Sequence, residues 1–238
     1  MAQKRIVVTT FGSLGDLHPY LALALGLRAR GHDVIVATGE CYHHKIETLG
    51  LSFAAVRPDS AWVTDPEKLR WFSHRRWGLI RVAKMQLRWL REAYEDTLVA
   101  AAGADLLVGN LASYSARLVA EKKGVPWVSA MHLPMLCYSA YDPPLLTGLP
   151  IPSKSLRFLG SHFWGPLGRF LKWSMGWLAA PLHRFRRQIG LPPVTELNPL
   201  TDGHSPLLHL ALFSKLLMDS NRPAEPCGTG VASGSWTG

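Results

Sequence analysis

From residue 4 to residue 131 the chain alternates short β-branched runs with stretches of helical spacing, and that alternation restricts the fold more than any other feature. Residues 4–10, 33–38, 52–56, 105–109 and 127–131 read as strands. Residues 18–30, 42–49, 79–91 and 113–123 place apolar side chains at helical spacing, and Gly31 and Gly124 stand where two of these helices stop. Strands alternating with helices predict an α/β fold, a parallel sheet with helices on both faces. A proline-rich loop at 143–152 separates the sheet from a further helical stretch at 165–188, and no internal repeat is present. In open sheets of this kind ligands sit at the carboxyl ends of the strands. A site is therefore expected among residues 10–16, the loop after Thr38, residues 110–113 and residues 131–134.

Composition sets outer limits. With 238 residues, 47% hydrophobic and 18% charged, the chain has enough apolar material for a real core, which excludes disordered and collagen-like classes. Cys41, Cys137 and Cys227 form no CxxC pair, which argues against a disulfide framework or a zinc site and for a reducing cytoplasm. The apolar run Ile6-Val7-Val8 stops at Thr9, too short for a signal peptide. The longest uncharged stretch, 125–141, is broken by Pro126, His132 and Pro134, so no membrane-spanning helix is expected.

The charge is local. Residues 70–91 hold Arg70, Arg75, Arg76, Arg81, Lys84, Arg88 and Arg91 with no acid; residues 143–195 hold Lys154, Arg157, Arg169, Lys172, Arg184, Arg186 and Arg187 with no acid. The two stretches carry +14 in a chain whose net charge is +9, leaving −5 for the rest. Trp71, Trp77 and Trp89 lie in the first, and Trp164, Trp173 and Trp177 in the second. Cations beside aromatics suit an anionic membrane surface or an amphiphilic ligand; a plain solvated helix face is the competing reading. Nucleic acid fits less well, because no helix-turn-helix, zinc finger or RNP pattern accompanies the charge.

The turn after the first strand reads Phe11-Gly12-Ser13-Leu14-Gly15-Asp16-Leu17-His18-Pro19. It is GxxGD rather than GxGxxG, and lacks the middle glycine that lets backbone approach a pyrophosphate. An Asp16 carboxylate at a helix N-terminus would also repel phosphate. No Lys-Ser/Thr pair follows to make a P-loop, so a dinucleotide cofactor is not expected. Asp16 has two readings: an N-cap taking free helix amides, or a general base placed against a hydroxyl.

These residues, with Arg30-Gly31-His32-Asp33-Val34, resemble the opening of family-1/28 glycosyltransferases of the GT-B fold, a group that includes sterol glucosyltransferases, glycopeptide-antibiotic glycosyltransferases and rhamnosyltransferases. Asp105-Leu106-Leu107-Val108-Gly109-Asn110, Ala116-Arg117, Ala120-Glu121-Lys122, Gly124-Val125-Pro126, Ser129-Ala130 and Pro143-Pro144 extend the resemblance in the same order, to about Leu216. It implies a Rossmann-like, acceptor-side N-terminal half of a GT-B enzyme that transfers a hexosyl group from a UDP- or dTDP-sugar to a hydroxyl. The implied displacement is inverting, with no metal and no cofactor beyond the nucleotide sugar as co-substrate. Asp16 falls on the family's base position, and Gly12, Ser13 and Gly15 would line the donor-facing turn. The acceptor, a sterol, lipid or other apolar hydroxyl compound, is expected beside Asp16, Asn110, His132 and Pro134; a buried structural histidine is the alternative for His132.

After about residue 217 the chain departs from the family. Residues 218–238 are rich in Gly, Pro, Ser and Thr where a donor domain would follow. They read as a disordered or aberrant tail. The organisation expected is thus an acceptor-side domain at 1–217 and a tail at 218–238, inactive without a donor half, cytoplasmic or peripheral at the inner membrane face. The alternative is a non-catalytic membrane- or lipid-binding domain on the same scaffold.

Overall fold

The computed structural model describes residues 2–74, 77–132, 159–194, 204–213 and the backbone of 231–233. Pro134, the loop at 143–152 and all of 218–238 except 231–233 lie outside these residues. Seven parallel strands form one sheet in the order β3-β2-β1-β4-β5-β6-β7. They are β1 (Arg5–Thr9), β2 (Asp33–Thr38), β3 (Ser52–Ala55), β4 (Leu106–Asn110), β5 (Trp127–Met131), β6 (His209–Ala211) and β7 (Val231–Ser233). The first five match the strands read from the sequence to within two residues at each end. The helices are α1 (Leu14–Ala29), α2 (His43–Thr48), α3 (Pro66–Phe72), α4 (Gly78–Arg88), α5 (Leu90–Ala100), α6 (Tyr114–Lys123), α7 (Gly160–Ser174) and α8 (Ala180–Gln188).

Both faces of the sheet are covered, and the period-two alternation of β1 shows why. Ile6 and Val8 point to one side, where Leu17, Tyr20, Leu21 and Ala24 of α1 pack with Val34, Val36 and Ile46. Val7 points to the other, into a core with Ile35, Leu107, Tyr94 of α5, Leu118 of α6, and Leu182 and Phe185 of α8. At the far strands, Ser129 Oγ meets His209 Nδ1 at 2.6 Å and accepts from the Ser205 amide at 3.2 Å, tying β6 to β5. Burial lowers the His209 pKa, so the ring stays neutral in this lock.

Two helix boundaries differ from the sequence reading. α1 begins at Leu14, not residue 18, because Ser13 is extended and occupies the N-cap position. The amphipathic run 79–91 breaks at Trp89 into α4 and α5. Gly31 and Gly124 end α1 and α6 with positive φ (87° and 68°), a conformation that glycine adopts at no Cβ cost. The strand order reverses between β1 and β4, which opens a crevice above their carboxyl ends. Among the described residues, no helix is long and apolar enough to cross a membrane.

Candidate functional site

Asp16 stands over that crevice. It is the third residue of α1, and its Oδ2 accepts from the Ser13 amide (2.6 Å) and the Ser13 hydroxyl (2.8 Å). This is the returning half of a capping box. Asp16 is therefore not the N-cap, a correction to one of its two readings; its carboxylate caps from within the first turn. Gly12 makes room for it. Gly12 has φ +131°, and a Cβ there would collide with the Asp16 carboxylate. The Tyr42 hydroxyl donates to the Gly12 carbonyl at 2.8 Å and fixes the turn from the β2 side. Gly15 is different: a Cβ there would meet only Ser13 Oγ, at 3.6 Å, so the fold does not require a glycine.

The second oxygen of Asp16 has a partner from the far side of the crevice. His132, directly after β5, places Nε2 2.6 Å from Asp16 Oδ1. That is an ion-pair distance, although the ring N–H lies off the line of a well-formed hydrogen bond. The imidazole is 8% exposed, and its Nδ1 is buried with no partner among the described residues. Tyr20 steers it: its ring meets His132 edge-on at 6.0 Å, and its hydroxyl donates to the Ala130 carbonyl at 2.7 Å. Burial raises the Asp16 pKa, but the contacts with His132 and Ser13 outweigh burial and hold the carboxyl below its ordinary value. Asp16 is thus ionised at neutral pH, and with its side chain 26% exposed it is the member of the pair that a ligand can reach.

Asn110 serves the turn rather than the crevice. Its Nδ2 donates to Thr10 Oγ1 (3.1 Å) and the Phe11 carbonyl (3.3 Å), and its Oδ1 accepts from the Ser113 amide (2.7 Å). These bonds lash the end of β4 to the end of β1. The cavity beneath, lined by Thr10, Phe11, Gln86, Ser113 and Tyr114, holds about 10 Å³, room for no more than one water molecule.

From Phe11 in the turn runs an aromatic row that the sequence reading did not assemble. Phe11 lies 6.4 Å from Trp62, Trp62 lies 4.5 Å from Phe72, and Phe72 meets Trp71 edge-on at 4.8 Å. The Trp62 indole N–H is buried with no hydrogen-bond partner among the described residues. Of the residues singled out by sequence, the fold brings together Gly12, Ser13, Gly15, Asp16, Asn110 and His132. His18 lies exposed on α1 and Pro134 is outside the described residues. Among the described residues no cluster of His, Cys, Asp or Glu could hold a metal ion.

Comparison with known proteins agrees with this architecture. Residues 6–141 match the model of the glycosyltransferase family 28 N-terminal domain. The O-mycaminosyltylonolide 6-deoxyallosyltransferase of Streptomyces fradiae is 29% identical across 98% of this chain and 54% of its own length. Glycosyltransferase GtfE of Amycolatopsis orientalis is 32% identical across 81% of this chain and 46% of its own. A sterol 3-beta-glucosyltransferase of Candida albicans is 29% identical across 82% of this chain and 13% of its own. The chain thus spans about half the length, or less, of the curated relatives it matches. Among solved structures, the spinosyn forosaminyltransferase SpnP aligns over 99% of this chain and 51% of its own with TM-score 0.59 at 16% identity, a likeness of fold. The α/β sheet read from the sequence is the one observed, and it corresponds to one half of a GT-B enzyme. With the family model covering more than half of its residues, the chain belongs to the glycosyltransferase family 28 N-terminal domain family.

Proposed function

We propose that this chain is the acceptor-binding half of an inverting glycosyltransferase, with Asp16 as the group that takes the acceptor's proton. The observation that carries the reading is the Asp16–His132 pair at the strand-order reversal, one oxygen held by His132 and the other by Ser13. As the acceptor oxygen bonds to the anomeric carbon, the nucleotide diphosphate leaves with the electron pair and the acceptor O–H becomes acidic. Asp16 receives that proton and later returns it to solvent. The depressed pKa makes Asp16 a weak base, so its contribution is placement rather than basicity. His132, buried behind the carboxylate, acts as a positioning residue.

The donor in this proposal is a UDP- or dTDP-hexose, bound by a half that is not part of this sequence, as the family resemblance and the coverage of the relatives support. Residues 1–217 are then the acceptor-side domain. Gly12, Ser13 and Gly15 line the donor-facing turn, the open side of Gly15 leaving space for a ligand. The acceptor is an apolar hydroxyl compound lying along Phe11, Trp62 and Phe72. The relatives' names, which include a sterol glucosyltransferase, support that class. Residence in the cytoplasm, where nucleotide sugars would be at hand, belongs to the same proposal.

The test is a fusion of residues 1–217 to the donor half of the Streptomyces fradiae relative, compared with the 238-residue chain alone. Hexosyl transfer to a sterol or macrolide by the fusion, with none by the chain alone, is the expected result. Steady transfer by the chain alone would overturn the division of labour; binding of small polar sugars only would overturn the acceptor class.

A further inference from the structure

The fold brings described parts of the two acid-free basic stretches, some 80 residues apart in sequence, together. Lys84 Nζ of α4 lies 5.5 Å from the Trp177 ring centre in the 3₁₀ turn Gly176–Ala179. Arg91 sits over the Phe185 ring at 5.2 Å and donates to Gln188 Oε1 at 2.8 Å. Phe163, Phe170, Trp173 and Trp177 recur at intervals of seven, three and four residues, a single stripe along α7 and the turn after it. That stripe is open, with Trp173 65% and Trp177 64% exposed, and Leu79 of α4 is 66% exposed. Exposed Lys84, Arg88, Arg169, Arg184 and Arg187 make no ion pair with a described residue. Among the described residues two members of the sequence stretches drop out, Trp164 being buried in the core and Arg186 against Glu121, and Arg75, Arg76, Lys154 and Arg157 lie outside the described residues.

We propose that the face formed by α4, α7 and the Gly176–Ala179 turn docks on the surface of an anionic lipid bilayer. A solvated helix face would intersperse acids among its cations and keep its tryptophans covered. Here the aromatics are presented and neither stretch contains an acid. Tryptophan seats at the headgroup level of a bilayer, and lysine and arginine draw anionic headgroups. The same charge argues against a second copy of the chain as occupant, since a two-fold contact would set cations on cations. Cations without acids also require an anionic partner. The remaining −5 lies outside these stretches, which favours one orientation over a negative surface. This inference is independent of the transfer reading, because docking is measured with no sugar present.

The experiment is co-sedimentation of the 238-residue chain with vesicles of phosphatidylcholine alone and of phosphatidylcholine with one-quarter phosphatidylglycerol. Binding to the anionic vesicles only, falling steeply as salt shortens the screening length, is the expected result. Lys84→Gln with Arg88→Gln should weaken it roughly 25-fold, at about fivefold per cation. Trp173→Ser with Trp177→Ser should weaken it at unchanged charge. Arg30→Gln with Lys45→Gln, just past the end of α1 and on α2 across the sheet, should leave it nearly intact. Unchanged melting curves establish that each variant is folded. The proposal is overturned by equal binding to both vesicles, by equal loss in the α4 and α1/α2 variants, by tighter binding to duplex DNA than to the vesicles, or by a dimer that the tryptophan substitutions dissolve.

Discussion

Asp16 depends on a partner 116 residues away, and the sequence carries no local signal of that partnership. The turn motif makes Asp16 conspicuous, whereas His132 is one of ten histidines, read as an acceptor contact or a structural ring. Only the sheet order, with β5 two strands from β1, shows them in contact. Gly12 was legible as a turn glycine, but its reason, space for the Asp16 carboxylate, was not. The charge state gives a direct check. Asp16 titrates below its ordinary value of 3.8 when folded, so its contacts stabilise the fold above that pH and are lost as pH falls through the folded value. His132→Phe keeps a ring in place and removes the partner, so the Asp16 midpoint followed by carboxyl NMR should move upward. An unmoved midpoint would mean that His132 does not hold the carboxylate.

At the scale of elements, the strands were legible because β-branched runs bounded by turn residues have few other uses. β6 was not, since three residues establish no period. Nor was the break at Trp89, where periodicity continues into α5 although the chain bends. How α8 is anchored also emerges only in three dimensions. Arg186 of α8, 4% exposed, pairs with Glu121 Oε2 of α6 at 2.6 Å, and Arg117 pairs with the other oxygen at 2.6 Å. Burial raises the Glu121 pKa, but the two guanidinium groups outweigh it and hold the carboxyl below its usual range. Glu121→Ala leaves Arg186 buried without its carboxylate, and a loss of about 3 kcal/mol is expected in urea unfolding. A change below about 1 kcal/mol would show the pair to be no stronger than a surface contact.

The described residues form a sheet with the Asp16–His132 pair at the carboxyl ends of its strands and a basic aromatic face on the flanking helices. The α/β class was legible from alternation alone, and the glycosyl-transfer family from the Phe11–Pro19 turn with the segments that follow it in order. The docking of α4 against the Gly176–Ala179 turn was not, because loop paths decide which distant helices become neighbours. The central claim is that the capping carboxylate of α1 is also the group that takes the proton. Asp16→Asn and Asp16→Ala, built into the donor-half fusion, separate the two roles when melting and turnover are measured together. Asn keeps an oxygen for the Ser13 donors and loses only the charge facing His132, so its melting should fall less than that of the Ala variant while turnover falls about 10²–10⁴-fold. Ala should lose both, with roughly 1 kcal/mol of added destabilisation from the lost capping-box hydrogen bonds. Full transfer by the Asn enzyme, with Ala merely less stable, would make Asp16 a cap alone and contradict the account.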